Sequence, residues 1–144
     1  MRILIADHHD IIRRGVCRLL EARVDLHVVA EASTGREALA LALETRPDIA
    51  IVDYHLPDLS GRDVTVALRK ALPNIEVLIY TMHNRDEVMP DAVQAGAKGL
   101  LLKADAERHL LAAIDALSVH RPYFPGTVSG ALPDPNVHTK PQQS

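Results

Sequence analysis

Ile3-Leu4-Ile5-Ala6-Asp7 opens the chain with four apolar residues closed by a carboxylate, and the pattern returns three times. It recurs as Ile49-Ala50-Ile51-Val52-Asp53, Val77-Leu78-Ile79-Tyr80-Thr81 and Gly99-Leu100-Leu101-Leu102-Lys103. Short continuous apolar runs read as strands buried on both faces, the signature of a parallel sheet. Parallel strands all end on one edge, so Asp7, Asp53, Thr81 and Lys103 are expected to meet in one crevice, where α/β folds place their chemistry. Two carboxylates, a hydroxyl and an ammonium suit a cation and a phosphoryl group.

Helical periods fill the intervals, which is the alternation expected of repeated β-α units. Ile12, Val16, Leu19 and Leu20 follow the first strand at helical spacing, and Leu26 to Ala32 reads as a second, less apolar strand at a sheet edge. Thr34-Gly35-Arg36-Glu37 has the spacing of a capping box, Ala38, Leu41 and Ala42 make a packing stripe, and Pro47 stops that helix. Leu56-Pro57-Asp58-Leu59-Ser60-Gly61 is a turn leading into a helix that reaches about Leu72, ended by Pro73-Asn74. Pro90 falls inside Asp86 to Ala95, and proline is comfortable only in a first turn, so the fourth helix is expected to start late, near Met89. Gly96 and Gly99 bracket the fifth strand, and Asp105 to Val119 reads as the last helix, with Leu110, Ile114 and Leu117 on one stripe. The units end by residue 120, giving one α/β domain over residues 1–120. Five of the nine prolines lie in residues 121–144, which read as a linker or tail, partly disordered.

Composition narrows the function classes. A chain of 144 residues, 47% apolar, is one domain long with enough material for a core. A net charge of −3 lacks the basic surplus that nucleic-acid binding draws on. The apolar runs are strand-length, and Met1-Arg2 leads straight into Ile3, so neither a membrane span nor a secretory signal is expected and the cytoplasm is the expected compartment. Cys17 stands alone and reads as a small packing residue.

A carboxylate can attack a phosphoryl donor and become an acyl phosphate. That reaction draws on a divalent cation and a fixed ammonium to offset charge on the phosphoryl oxygens, and on a hydroxyl to hold the product oxygen. Asp53 is the candidate acceptor, Asp7 the cation ligand, Lys103 the partner of the phosphoryl group and Thr81 its hydrogen-bond donor. The backbone carbonyl of His55 is a further candidate oxygen ligand.

These residues resemble the receiver domain of two-component response regulators, in the subfamily with a C-terminal LuxR-type helix-turn-helix. The likeness covers about residues 2–120 and rests on Ile3 to Asp7, on Asp53 with Leu56 to Gly61, on Thr81-Met82-His83, on Ala95-Gly96-Ala97 and on Leu101-Leu102-Lys103. It implies a doubly wound, flavodoxin-like (βα)5 fold whose five-stranded parallel sheet has the order 2-1-3-4-5. It further implies phosphotransfer from a histidine kinase to Asp53 and Mg²⁺ at the acidic end. A Thr81-linked shift of the fourth and fifth element pair would then change homodimerisation and a DNA-binding output that regulates transcription. DNA would be reached only through an output domain absent from this chain, which reads as a receiver cut within its linker or as a stand-alone receiver, the first being favoured.

Three positions depart from that pattern. Relatives carry two adjacent acids after the first strand where this chain has Asp7-His8, and imidazole is a poor ligand for Mg²⁺. Asp10 reads as the N-cap of the first helix rather than as a replacement. Leu100 stands where relatives place a Tyr or Phe switch, and Pro90 interrupts the fourth helix; with Thr81 these are the candidate switch positions. The departures motivate an alternative, a phosphorylation-independent interaction or dimerisation module. Enzymatic readings fit less well: a phosphohydrolase wants a general acid where His55 stands, and Asp7-His8-His9-Asp10 would repel a flavin phosphate. A signalling module rather than an enzyme is expected. His83, His109, His120 and His138 read as surface or linker residues, whereas His8-His9 could complete a metal site with Asp7 and Asp53. Met82 is expected to line the pocket, and Tyr123-Phe124 to begin the linker or form a local clasp.

Overall fold

The computed structural model describes residues 1–82 and 85–124, and in it the apolar runs become the strands of one sheet. The elements run β1 (Arg2–Ala6), α1 (Asp10–Glu21), β2 (His27–Ala32), α2 (Gly35–Thr45), β3 (Ile49–Asp53), α3 (Gly61–Ala71), β4 (Glu76–Thr81), α4 (Arg85–Ala95), β5 (Gly99–Leu102) and α5 (Ala106–Ser118), with a 3₁₀ turn at Lys103–Asp105. All pairings are parallel and the order is β2-β1-β3-β4-β5, the doubly wound arrangement expected. None of the described helices is long and apolar enough to cross a membrane.

Because successive strand residues point to opposite faces, the unbroken apolar runs feed two cores. Leu4, Ala6, Ala50, Val52, Val77, Ile79 and Leu100 meet Ala38 and Ala42 of α2, Val64 and Leu68 of α3, and Val88 and Ala92 of α4. Ile3, Ile5, Ile49, Ile51, Leu78, Tyr80 and Leu101 meet Val16, Cys17 and Leu20 of α1 and Leu110, Ile114 and Leu117 of α5. Burial pushes the Cys17 thiol up to about 11, so it stays protonated as a packing residue.

Helix starts follow the sequence in two cases and depart from it in two. Thr34 caps α2 by accepting from Glu37 N at 3.1 Å, while Glu37 reaches back to Ser33 N at 2.8 Å. Ser60 caps α3 in the same manner through Asp63 N at 3.0 Å. Asp10 is not the cap of α1; His9 holds that position without a side-chain cap, and Asp10 instead pairs with Arg13 one turn on at 2.8 Å. Nor does α4 wait for Pro90: it starts at Arg85 and carries the proline inside. Val88, Ala92 and Ala95 form one buried stripe across the break, and their burial outweighs the backbone bond that the exposed Pro90 cannot donate.

Ordered packing continues past residue 120. Tyr123 bridges Gly99 at the free edge of β5, with Tyr123 N to Lys98 O at 2.8 Å and Leu100 N to Tyr123 O at 2.9 Å. Phe124 is buried in the core on the α4 side. This is the local clasp among the two readings of Tyr123-Phe124; residues 125–144, where a partly disordered tail was expected, lie outside the described residues, as do His83 and His138.

One glycine is fixed by the site. A Cβ on Gly61 would stand 2.7 Å from Tyr54 Cα and 2.8 Å from the Asp53 carbonyl oxygen, whereas one on the exposed Gly15 would meet nothing within 4 Å. Gly61→Ala is expected to lower unfolding stability by about 1–3 kcal/mol through overpacking. Gly15→Ala should raise it by about 0.5–1 kcal/mol through helix propensity, both measured by urea denaturation.

Candidate functional site

Register brings the four strand-end residues together. Ala6 pairs with Val52, so Asp7 and Asp53 follow side by side; Asp53 pairs with Tyr80, and Thr81 with Leu102. Lys103, first residue after β5, folds back across the sheet edge. Its Nζ lies 3.0 Å from Asp53 Oδ2 and 3.1 Å from Asp7 Oδ2, one ammonium bridging two carboxylates far apart in sequence. All three side chains are nearly or fully buried, at 6%, 4% and 0% exposure for Lys103, Asp53 and Asp7, so the contact is little screened. Thr81 is fully buried at the end of β4. Beside it Met82 lines, as expected, a cleft of about 290 Å³ with His9, Ile12, Asp53, His55 and Lys103.

The two acids are held differently. Asp7 Oδ1 accepts from His9 N at 2.9 Å, and Asp7 Oδ2 accepts from the Tyr80 hydroxyl as well as from Lys103. Burial works to raise the Asp7 carboxyl, but the Tyr80 hydroxyl, the His9 N–H and the Lys103 charge together outweigh it and hold the group below the ordinary carboxylate value. Asp53 has fewer donors, His55 N at 3.1 Å and the shared Lys103. There burial prevails, with the neighbouring Asp7 charge adding to it, and the Asp53 carboxyl is raised. Burial and the bond to Asp7 push the Tyr80 phenol far up, so it remains a donor.

Tyr80 is the residue that sequence reasoning missed. An apolar run ending in tyrosine looks like core, and only the pairing of Tyr80 with Asp53 tells that its hydroxyl faces the acids. Lys103 Nζ also sits 4.7 Å from the centre of its ring, within cation-π range. Asp58 was likewise read only as a turn residue. Its carboxylate accepts from Gly35 N at 2.7 Å and Arg36 N at 3.0 Å, tying the segment after β3 to the start of α2. Those bonds hold its carboxyl below the ordinary range.

The two adjacent histidines are placed differently. His8 has an exposed side chain and stacks edge-on to the His9 ring at 5.6 Å between centroids. It is His9 that joins Asp7 and Asp53, one ligand atom of each lying within 4.8 Å of the others. Two carboxylates suit a hard divalent cation such as Mg²⁺, whereas the third side-chain donor, an imidazole, does not. Asp10 is outside this group and supplies no replacement oxygen.

Pro90 and Leu100, the other departures, lie on the α4-β5 side. Leu100 is fully buried and Pro90 exposed. Tyr54, next after Asp53, donates its hydroxyl to Asp91 of α4 at 2.5 Å, and that bond, ahead of burial, pushes the phenol up to about 12.

Comparison with known proteins agrees with this geometry. Residues 3–115 match the family described as the response regulator receiver domain. The chain is 34% identical over 132 residues to the DNA-binding transcriptional activator DevR/DosR of Mycobacterium tuberculosis, covering 92% of this chain and 61% of the relative. It is 36% identical over 115 residues to the oxygen regulatory protein NreC of Staphylococcus epidermidis, covering 79% and 53%. Among solved structures, a LuxR-family two-component response regulator from Aurantimonas sp. SI85-9A1 superposes with a TM-score of 0.81 at 38% identity, covering 85% of this chain and 87% of that one. The signal receiver domain of the putative response regulator NarL from Mycobacterium tuberculosis gives 0.78 at 34% identity, covering 83% and 97%. The chain spans 61% and 53% of the lengths of the two curated relatives named. It belongs to the response regulator receiver domain family, as a receiver of the LuxR/NarL type among signalling proteins.

Proposed function

We propose that Asp53 accepts a phosphoryl group from a histidine kinase. The observation that carries this reading is the Lys103 ammonium 3.0 Å from Asp53 Oδ2, in a cleft open beside the carboxylate. An Asp53 oxygen attacks phosphorus as the P–N bond of a phosphohistidine breaks, and the departing imidazole takes up a proton from water, leaving an acyl phosphate on Asp53. Lys103, 3.0 Å from Asp53 Oδ2 before the transfer, moves to an anionic phosphoryl oxygen and offsets its charge, and the Thr81 hydroxyl holds a second one. Tyr80 and the His9 N–H keep Asp7 ionised while Lys103 turns toward the phosphoryl group.

Asp7, Asp53 and the His55 carbonyl are the residues that would hold Mg²⁺, which when bound offsets charge on the phosphoryl oxygens. With His8 turned outward and no second acid, that binding is weaker than a pair of adjacent acids would give. The protein acts as a cytoplasmic signalling module rather than as an enzyme. Its partners are the kinase and a second copy of itself, and it reaches DNA only through an output domain outside this chain. Thr81, Leu100 and Pro90 are the positions through which the modified site alters the α4-β5 side.

Incubation with a small-molecule phosphodonor and Mg²⁺, followed by intact-mass measurement, should give a single phosphoryl adduct. Asp53→Asn should carry none, and His8→Asp should gain the adduct at lower Mg²⁺ than the native chain. An adduct that survives Asp53→Asn, or no adduct in any form, would refute the assignment. Tyr80→Phe removes a hydrogen bond to a buried charge and is expected to lower stability by about 1.5–3 kcal/mol in chemical denaturation.

A further inference from the structure

We propose that the imidazole of His9 is a metal ligand, so that the crevice prefers a borderline transition ion of the Zn²⁺ or Co²⁺ kind to Mg²⁺. The inference rests on the reading of the crevice as the phosphoacceptor site and names the ion class that the site selects. The first support is the donor set. Asp7, His9 and Asp53 bring two oxygens and one nitrogen within 4.8 Å of one another, and a mixed set with imidazole suits zinc, cobalt and nickel, whereas magnesium asks for oxygen.

The second support is a distance. Asp7 Oδ1 and His9 Nδ1 stand 3.4 Å apart. Two ligands at about 2.1 Å from a tetrahedral ion are separated by about 3.4 Å. The same two on an octahedral Mg²⁺ at about 2.1 Å would be separated by about 3.0 Å. The existing spacing therefore matches a tetrahedral edge without rearrangement of either group.

The remaining contacts leave this edge open. Lys103 takes Oδ2 of both acids, so the ammonium and the His9 imidazole address opposite oxygens of Asp7. The His9 backbone is fixed by its own N–H to Asp7 Oδ1 at 2.9 Å and by its place as the cap of α1, while its ring remains 61% exposed and accessible to an incoming ion. His55 lines the same cleft. His8 has no part in the site.

The test titrates the whole chain, freed of metal by a chelator, with Co²⁺ alone and with Mg²⁺ alone, in calorimetry and by the visible absorption of Co²⁺. His9→Ala is expected to weaken Co²⁺ binding by about tenfold or more, the order of loss when a metal site is disturbed. Its Mg²⁺ affinity should stay within about twofold of native, and His8→Ala should leave both ions unchanged. Asp53→Asn should also weaken Co²⁺, which places the ion in the crevice. Equal Co²⁺ affinity in the native chain and His9→Ala would overturn the proposal, as would Co²⁺ binding that survives Asp53→Asn. Formation of the Asp53 adduct in Mg²⁺ reports separately on the phosphoacceptor reading, so failure of one is distinguishable from failure of the other.

Discussion

One ammonium between two buried carboxylates governs the sheet's working edge. Asp7 and Asp53 are brought together because β1 and β3 are neighbours in register, and two such charges out of water repel unless a cation lies between them. Lys103 comes from the strand at the far side of the sheet, so its contact ties β5 to β1 and β3 across β4. Tyr80 on β4 completes the set by donating to the same oxygen of Asp7. Each central strand and the edge strand β5 thus contributes to one ionic cluster, and the β-strand order is what makes that cluster possible.

The sharing is unequal, and the inequality suits the chemistry. Asp7 has three neutral or charged donors and is stabilised as an anion; Asp53 has fewer and is penalised by burial. A buried carboxylate with an incomplete set of donors gains most from a change that alters its charge environment, and phosphorylation together with a cation is such a change. The side of the sheet that would respond is built with fixed parts. Leu100 is fully buried, Tyr123 pairs along the edge of β5, and the Tyr54 to Asp91 bond joins the residue after Asp53 to α4.

Much of this was legible in the sequence because parallel strands write themselves as unbroken apolar runs, and the residue after each run must lie on the common edge. Asp7, Asp53 and Lys103 were picked out in that way, and the fold brings the three side chains into contact. What escaped was whatever depends on facing neighbours rather than on spacing. Tyr80 looks like core until its pairing with Asp53 is known. Of the pair His8-His9 that the sequence offered as part of a metal site, which one stands beside the acids depends on the backbone path before α1, and it is His9. The start of α4 was hidden because proline speaks against a helix locally while the stripe of Val88, Ala92 and Ala95 speaks for it over the whole element.

The unequal holding of the two acids is open to a direct measurement, thermal unfolding of Asp7→Asn and Asp53→Asn against pH in the presence of a chelator. Asp7 has a folded value below its unfolded value of about 3.9, so its charge contributes stability above that pH, lost as the pH falls through the folded value. Asp53 has a folded value above its unfolded one, so its protonated form contributes stability at low pH that is lost as the pH rises through the folded value. At pH 7, Asp7→Asn should therefore lower the melting temperature and Asp53→Asn should raise it, with both differences shrinking as the medium is acidified. Two variants that shift in the same direction at pH 7 would contradict the unequal holding of the two acids, in which the Tyr80 and His9 donors favour Asp7 alone.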